Sequence, residues 1–373
     1  MSYSHICPIR SLLTRCILSS ASAEAWCEVL LRLPARTVGR LNQVYRDWRA
    51  MIKSKCFIDA HLHQANLSSK IPQVMFTDGK PNSFKPLESF IGTSDPCHGL
   101  NAGSFMCYDF VCNPITGYYK ALPLDDHREL RGASSAFSDM TRRLLLDCSG
   151  DGDAISATAG HFGLRYDTEM GTHVLLECKI RCIEDMFWEK LDPPQRPIAD
   201  MPPACINGKL YWMADAKLGH YGASSDHEEI IVLDVVARKF ELFKGPLCIH
   251  DEDSDECVSS IVELQGQVCM ACSHPRKGTL EIWAMKDNGC WSMENYIEVG
   301  MFSPGYSSET VTPLAVDSED GRILLSTGKA LGYYDPKTAK MQTIYSLGEH
   351  TKNKKFVPII VQESLVNPCD RVL

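Results

Sequence analysis

Much of what a sequence can carry is missing from this one. No apolar run in its 373 residues reaches the roughly 18 needed to cross a bilayer, so the chain is not expected in a membrane. It has no Walker A loop, His-Glu-x-x-His, Gly-x-Ser-x-Gly or dinucleotide fingerprint, and so none of the short motifs that place reacting groups at fixed spacing. An excess of positive charge is also missing: 38 Lys and Arg stand against 47 Asp and Glu, a net charge of −9. Nothing draws such a chain as a whole to nucleic acid. Residues 1–23 contain no acid, carry Arg10 and Arg15 and are rich in Ser. An organelle transit peptide has that composition; a disordered tail over 1–20 is the expectation, and Arg15 interrupts the apolar stretch a secretory signal needs.

Metal motifs are incomplete. Cys269-x-x-Cys272 with His274 lacks a second ligand pair at finger spacing, and it lies in a segment that alternates like a strand. The acidic run from Asp251 to Glu256 has Glu256 where a calcium loop requires glycine and Val262 where it requires glutamate. It reads as a solvated loop. No metal and no cofactor are expected.

What is present is ordinary for a globular protein, with 44 % hydrophobic and 23 % charged residues. The seventeen cysteines are scattered and odd in number. Disulfide scaffolds are short and far denser in cysteine, so reduced thiols in the cytoplasm or nucleus are expected.

Residues 24–62 are helical in pattern. Ala25, Trp26, Val29, Leu30 and Leu33 recur at spacings of three and four, one face of a helix. Pro34 ends it. Thr37 is a candidate N-cap for a second helix carrying Val38, Leu41, Val44, Trp48 and Ile52, and Phe57, Ile58 and Leu62 mark a third. His61 and His63 on that third helix are expected at the surface. Three helices in about forty residues sit near the lower limit for independent folding. A partner surface, or a role as a cap on the downstream domain, would account for them.

The run Glu28-Val29-Leu30-Leu31-Arg32-Leu33-Pro34, then Val44-Tyr45-Arg46-Asp47-Trp48-Arg49 and Ile52, resembles the F-box of plant F-box proteins over residues 21–62. Two departures stand out: Ala21 and Ser22 occupy the family's opening Leu-Pro, and Tyr45 replaces a common cysteine. The resemblance implies docking to a Skp-family adaptor through Glu28, Val29, Leu30, Leu33, Pro34, Val38, Leu41, Val44, Trp48 and Ile52. Losing one well-buried leucine from such a contact costs ~1.5–3 kcal/mol.

Beyond a linker at 63–72, an internal repeat begins. Five segments share an apolar strand, an Asp or Asn, a polar turn and a second strand; their Asx residues are Asn113, Asp167, Asp234, Asp287 and Asp335, spaced 54, 67, 53 and 48 residues apart. An Asx side chain can bond the backbone two residues on and open such a turn. Asn207-Gly208, Gln265-Gly266 and Asp320-Gly321 precede further strands, as tight hairpins require. Trp212, Trp283 and Trp291 fall inside strands and are expected to pack in the core. A four-stranded unit every ~50 residues is the mark of a kelch-type propeller blade. Residues 73–373 would hold about six blades, with 74–76 and 357–361 closing the ring. There is no Gly-Gly or Trp-Asp pair, so standard kelch and WD repeats are both excluded. The phrases Cys112 to Gly117, Asn207 to Trp212 and Tyr334 to Thr338 are instead similar to the F-box-associated domain of plant F-box proteins.

The expected architecture is therefore a small all-α F-box module followed, as a separate unit, by an all-β propeller of kelch or galactose oxidase-like type. The resemblance implies the substrate-recognition subunit of an SCF (Skp-cullin-F-box) ubiquitin ligase. Its partners would be a Skp adaptor, a cullin scaffold and a target protein, with no catalytic residue in this chain. An adaptor-free propeller binding protein is the alternative. A propeller enzyme, copper oxidase or glycoside hydrolase, is the more distant one and would need convergent His and Tyr ligands or paired carboxylates.

Overall fold

The computed structural model describes residues 20–42, 46–68, 73–77, 91–93, 96–105, 108–121, 163–167, 172–176, 179–182, 188–192, 194–196, 198–199, 201–214, 228–247, 257–286, 289–302, 305–306, 308–347 and 355–369. The N-terminal tail, Val44, the acidic run 251–256 and Asp287 lie outside the described residues.

Four helices open the described chain: α1 (Ser20–Leu31), α2 (Ala35–Leu41), α3 (Arg46–Ile52) and α4 (Lys55–Ser68). The stretch 37–52, expected as one helix, contributes to two, and the last helix runs on through 63–68, part of the expected linker. Apolar periodicity hides that extension because residues 63–68 read His-Gln-Ala-Asn-Leu-Ser, too polar to carry a helical stripe.

The rest is a β-propeller. Five antiparallel four-stranded sheets follow in chain order. Blade 1 holds Ile91–Thr93, Asn101–Phe105, Tyr108–Asn113 and Tyr118–Ala121. Blade 2 holds Gly163–Asp167, Thr172–Leu176, Lys179–Cys182 and Trp188–Lys190. Blade 3 comprises Ala204–Ile206, Lys209–Met213, Glu229–Asp234 and Lys239–Lys244; blade 4, Val258–Leu264, Gln267–His274, Thr279–Met285 and Trp291–Ile297. Blade 5 comprises Thr312–Val316, Ile323–Ser326, Ala330–Asp335 and Lys340–Ser346. Six full blades are not seen among the described residues: between blades 5 and 1 stands a two-stranded sheet of Gln73–Thr77 and Val357–Val361.

That pair joins the two ends of the chain, with Val74 opposite Ile360. Because strand side chains alternate, its two faces serve different neighbours. Ile359, Val361 and Met75 pack with Phe110 and Cys112 of blade 1. Val74 and Ile360 pack with Leu324, Leu331 and Tyr333 of blade 5.

Within a blade the middle strands are buried on both faces. Gln267–His274 is buried at every position but the first, whereas the outer strand Lys340–Ser346 is exposed at nearly every one. Continuous apolar runs therefore mark middle strands, and polar runs mark the rim. Leu264, Ala271 and Ile282 of blade 4 share a core with Ile323, Leu325 and Tyr334 of blade 5. Ile206, Tyr211 and Val232 of blade 3 share another with Val268 and Met270 of blade 4.

Two of the three expected glycine-bearing turns are tight hairpins; Asp320-Gly321 instead lies in a longer connection between the paired residues Val316 and Ile323, where Gly321 has positive φ (79°) and Asp320 does not. Asn207 and Gly208 both have positive φ (48° and 79°), as do Gln265 and Gly266 (54° and 75°). Each pair links two strands whose flanking residues face each other, Ile206 with Lys209 and Leu264 with Gln267. These are two-residue type I′ hairpins. Asn113, Asp234 and Asp335 end the third strands of blades 1, 3 and 5, but Asp167 ends the first strand of blade 2. An Asx turn is a local device that suits any hairpin, so the uneven 54 and 67 spacing mixes two different turns.

Tryptophans divide by place. Trp212 is fully buried in the blade 3 core, as expected. Trp291 begins an outer strand, and its indole N–H donates to the Lys244 carbonyl (3.0 Å), fastening the rim of blade 4 to that of blade 3. Trp283 is half-buried and donates to Glu281 Oε2 (3.0 Å). Cys269 packs in the core shared with blade 5 and Cys272 in the core shared with blade 3. They face opposite sides of one sheet and cannot meet at one ion.

Candidate functional site

The helical module is built around the Leu33-Pro34 junction. Pro34 has φ −55° and ψ 141°, and its carbonyl accepts the first bonds of α2, from Thr37 N (2.8 Å) and Val38 N (3.1 Å). Pro34 is thus the N-cap, and Thr37, the expected cap, lies inside the first turn. Proline suits the entry to a helix because the fixed φ costs nothing there and no amide hydrogen is lost from the ladder. The junction is held from below by His61, whose Nε2 lies 2.8 Å from the Leu33 carbonyl. His61 is fully buried, not at the surface as expected, while His63 is exposed. Its position one turn after Phe57, ring centroids 6.2 Å apart, is the signal that could have placed it inside.

Nine of the ten residues assigned by resemblance are described, all but Val44, and they separate into an inner and an outer group. Leu30, Val38 and Ile52 are buried and, with Cys27, Ala35 and Phe57, form the module's core. Burial, and to a lesser degree neighbouring Glu28, pushes the Cys27 thiol up. Leu33, Leu41 and Trp48 are half-buried around that core. On the outside, Glu28 and Pro34 are exposed and Val29 is 48 % exposed. Trp26, which is not among the ten, is 49 % exposed. Its ring sits 5.3 Å from that of Trp48, tilted by 48°.

Among the described residues of the module, the large apolar side chains left exposed are Trp26 and Val29, i and i+3 on α1, with the half-buried Trp48 against Trp26. The same module exposes Arg32, Arg36, Arg40 and Arg49. Residues 20–68 hold seven Lys and Arg against four Asp and Glu, in a chain whose net charge is −9. An exposed apolar patch on a module of net positive charge suits a partner surface that is apolar at the contact and acidic around it.

Two contributors to the core come from the propeller. Leu365, beyond the last strand, is buried among the helical residues, and Ile115, in the blade 1 turn after Asn113, packs against the same cluster. The module is not the separate unit its sequence suggested. Helical periodicity cannot reveal such residues, because they lie some 50 and 300 positions downstream.

No family model matches the chain. Three curated proteins of Arabidopsis thaliana are similar to it along most of its length. An F-box/LRR-repeat protein is 22 % identical over 373 residues, covering 92 % of this chain and 84 % of that protein. A putative F-box protein is 23 % identical, covering 85 % and 79 %. A putative F-box/kelch-repeat protein is 23 % identical, covering 75 % and 71 %. The homologues of this helical module and propeller are thus F-box and F-box/kelch-repeat proteins, at low identity.

Proposed function

We propose that the chain is the substrate-recognition subunit of an SCF-type ubiquitin ligase. The helical module docks a Skp-family adaptor, the adaptor leads to a cullin scaffold, and the propeller holds a target protein. The observation that carries this reading is the exposed Trp26–Val29 patch on an F-box-like module seated beside a propeller, in a chain whose relatives are named as F-box proteins. The mechanism is proximity: a tethered target meets the ubiquitin-charged enzyme at a raised effective concentration, so lysine attack becomes nearly intramolecular. No catalytic residue is required of this chain. The reading places it in the cytoplasm or nucleus, takes 21–62 as the F-box with its last helix extending to Ser68, and takes the pair Gln73–Thr77 and Val357–Val361 as part of a sixth, kelch-type blade.

Capture of a Skp-family adaptor by the full chain tests it. Trp26→Ala with Val29→Ser should weaken capture at least about tenfold, as loss of an aromatic anchor does, with the thermal transition of the propeller unchanged. Failure of the wild type to capture adaptor where a control F-box protein succeeds would leave the adaptor-free binding protein as the better reading.

A further inference from the structure

We propose that residues 362–366 are a strap that clamps the helical module onto the propeller and fixes their mutual orientation. The segment follows the last strand without regular secondary structure of its own, and its residues alternate between two partners. Glu363 and Leu365 face the helices. Glu363 Oε2 accepts the Ala35 N–H (2.8 Å), one of the first-turn amides that no helix can satisfy internally, and Leu365 is buried in the helical core. Residues 362, 364 and 366 face blade 1. The Gln362 side-chain oxygen accepts the Gly99 N–H (2.9 Å). The Ser364 and Val366 carbonyls both accept from Asn113 Nδ2, each at 2.9 Å.

The fit on the propeller side is close. A Cβ at Gly99, whose φ is +80°, would stand 2.1 Å from the Ser364 Cβ, so only glycine lets the strap lie down. The Asn113 turn is held from both sides: its Oδ1 caps Ile115 N and Thr116 N (3.1 and 3.2 Å) while its Nδ2 holds the strap. Thr116 in turn lies under Gly39 of α2. One asparagine thus joins the turn, the strap and the helices. In the matching turns of blades 3 and 5 the residue is aspartate, which caps in the same way but has no N–H to hold a strap.

The meaning of this fixed orientation rests on the function proposed above, since a rigid mount keeps the Trp26–Val29 patch at a set angle to whatever the propeller holds. The strap itself does not depend on it. The test is a distance distribution between non-cysteine spin labels placed at exposed Glu28 and Tyr296 in the full chain. Wild type should give one narrow distribution. Glu363→Ala with Leu365→Ala should broaden it severalfold while the propeller's thermal transition is kept. Should that pair also lower the helical circular dichroism, Glu363→Ala alone, which leaves the apolar core whole, must still broaden it. A broad wild-type distribution, or an unchanged one in both variants, overturns the strap. The labels need no adaptor, so a chain that captures none and still shows this broadening loses the ligase reading and keeps the strap.

Discussion

Asn113→Asp separates the two roles of one buried side chain. Asn113 is fully buried and makes four hydrogen bonds, two as acceptor within its own turn and two as donor to the Ser364 and Val366 carbonyls. Aspartate keeps the acceptor and so keeps the turn, as Asp234 and Asp335 do. It removes both donors, leaves the Ser364 and Val366 carbonyls without them and buries a carboxylate beside two carbonyl oxygens. At ~0.5–1.5 kcal/mol per lost bond and ~1–3 for an orphaned buried group, the cost at neutral pH is about 2–5 kcal/mol. With roughly 2–4 °C per kcal/mol for a domain of this class, Tm should fall by about 5–15 °C. Burial and the facing carbonyls raise the new carboxyl above its unfolded value near 3.9. A raised folded pKa contributes stability that is fully present below the unfolded pKa and is lost as pH rises through the folded one. The Tm gap to wild type should therefore narrow as pH falls from neutrality toward about 4, where the protonated acid can donate one of the missing bonds. Scanning calorimetry of both proteins across that range reads this directly. A variant within about 1 °C of wild type at neutral pH, or a gap that ignores pH, would refute the argument.

Trp212 is fully buried and its indole N–H has no partner among the described residues. Trp212→Ala should therefore cost ~3–5 kcal/mol in denaturant unfolding, while Trp212→Phe, which also removes the unpaired N–H, should cost less than about 1.5; equal losses would show that the N–H is satisfied. Cysteines should label in order of burial: peptide mass mapping after brief alkylation at mild pH should find Cys290 and Cys369, both exposed, before Cys112, whose thiol burial pushes up to about 12. Native labelling of Cys112 at the rate of Cys290 would mean that blade 1 opens. The Trp26 and Val29 substitutions described for adaptor capture should leave Tm within about 1 °C of wild type, because surface changes away from the core cost little.

Local chemistry determined a good deal of this protein before any contact was known. Type I′ hairpins at Asn207-Gly208 and Gln265-Gly266 follow from the residues that tolerate positive φ. The runs around Val232, Met270 and Leu324 declare buried middle strands because both their faces must be apolar. Leu30, Val38 and Ile52 announce a helical core by spacing alone. Other features had no local signal. His61 reads as a surface residue until the Leu33 carbonyl is placed against it, and Trp26 reads as core until it is left on the outside. Asp167 imitates Asn113 because a turn residue answers only to its own backbone, whichever pair of strands it joins. The choice of asparagine at 113 and of glycine at 99 makes sense only once residues 362–366 return, some 250 positions later, to lie between blade and helices. Spacing along a chain records periodicity within one element. Which element meets which is decided by burial across the whole fold, and that was left to the tertiary structure.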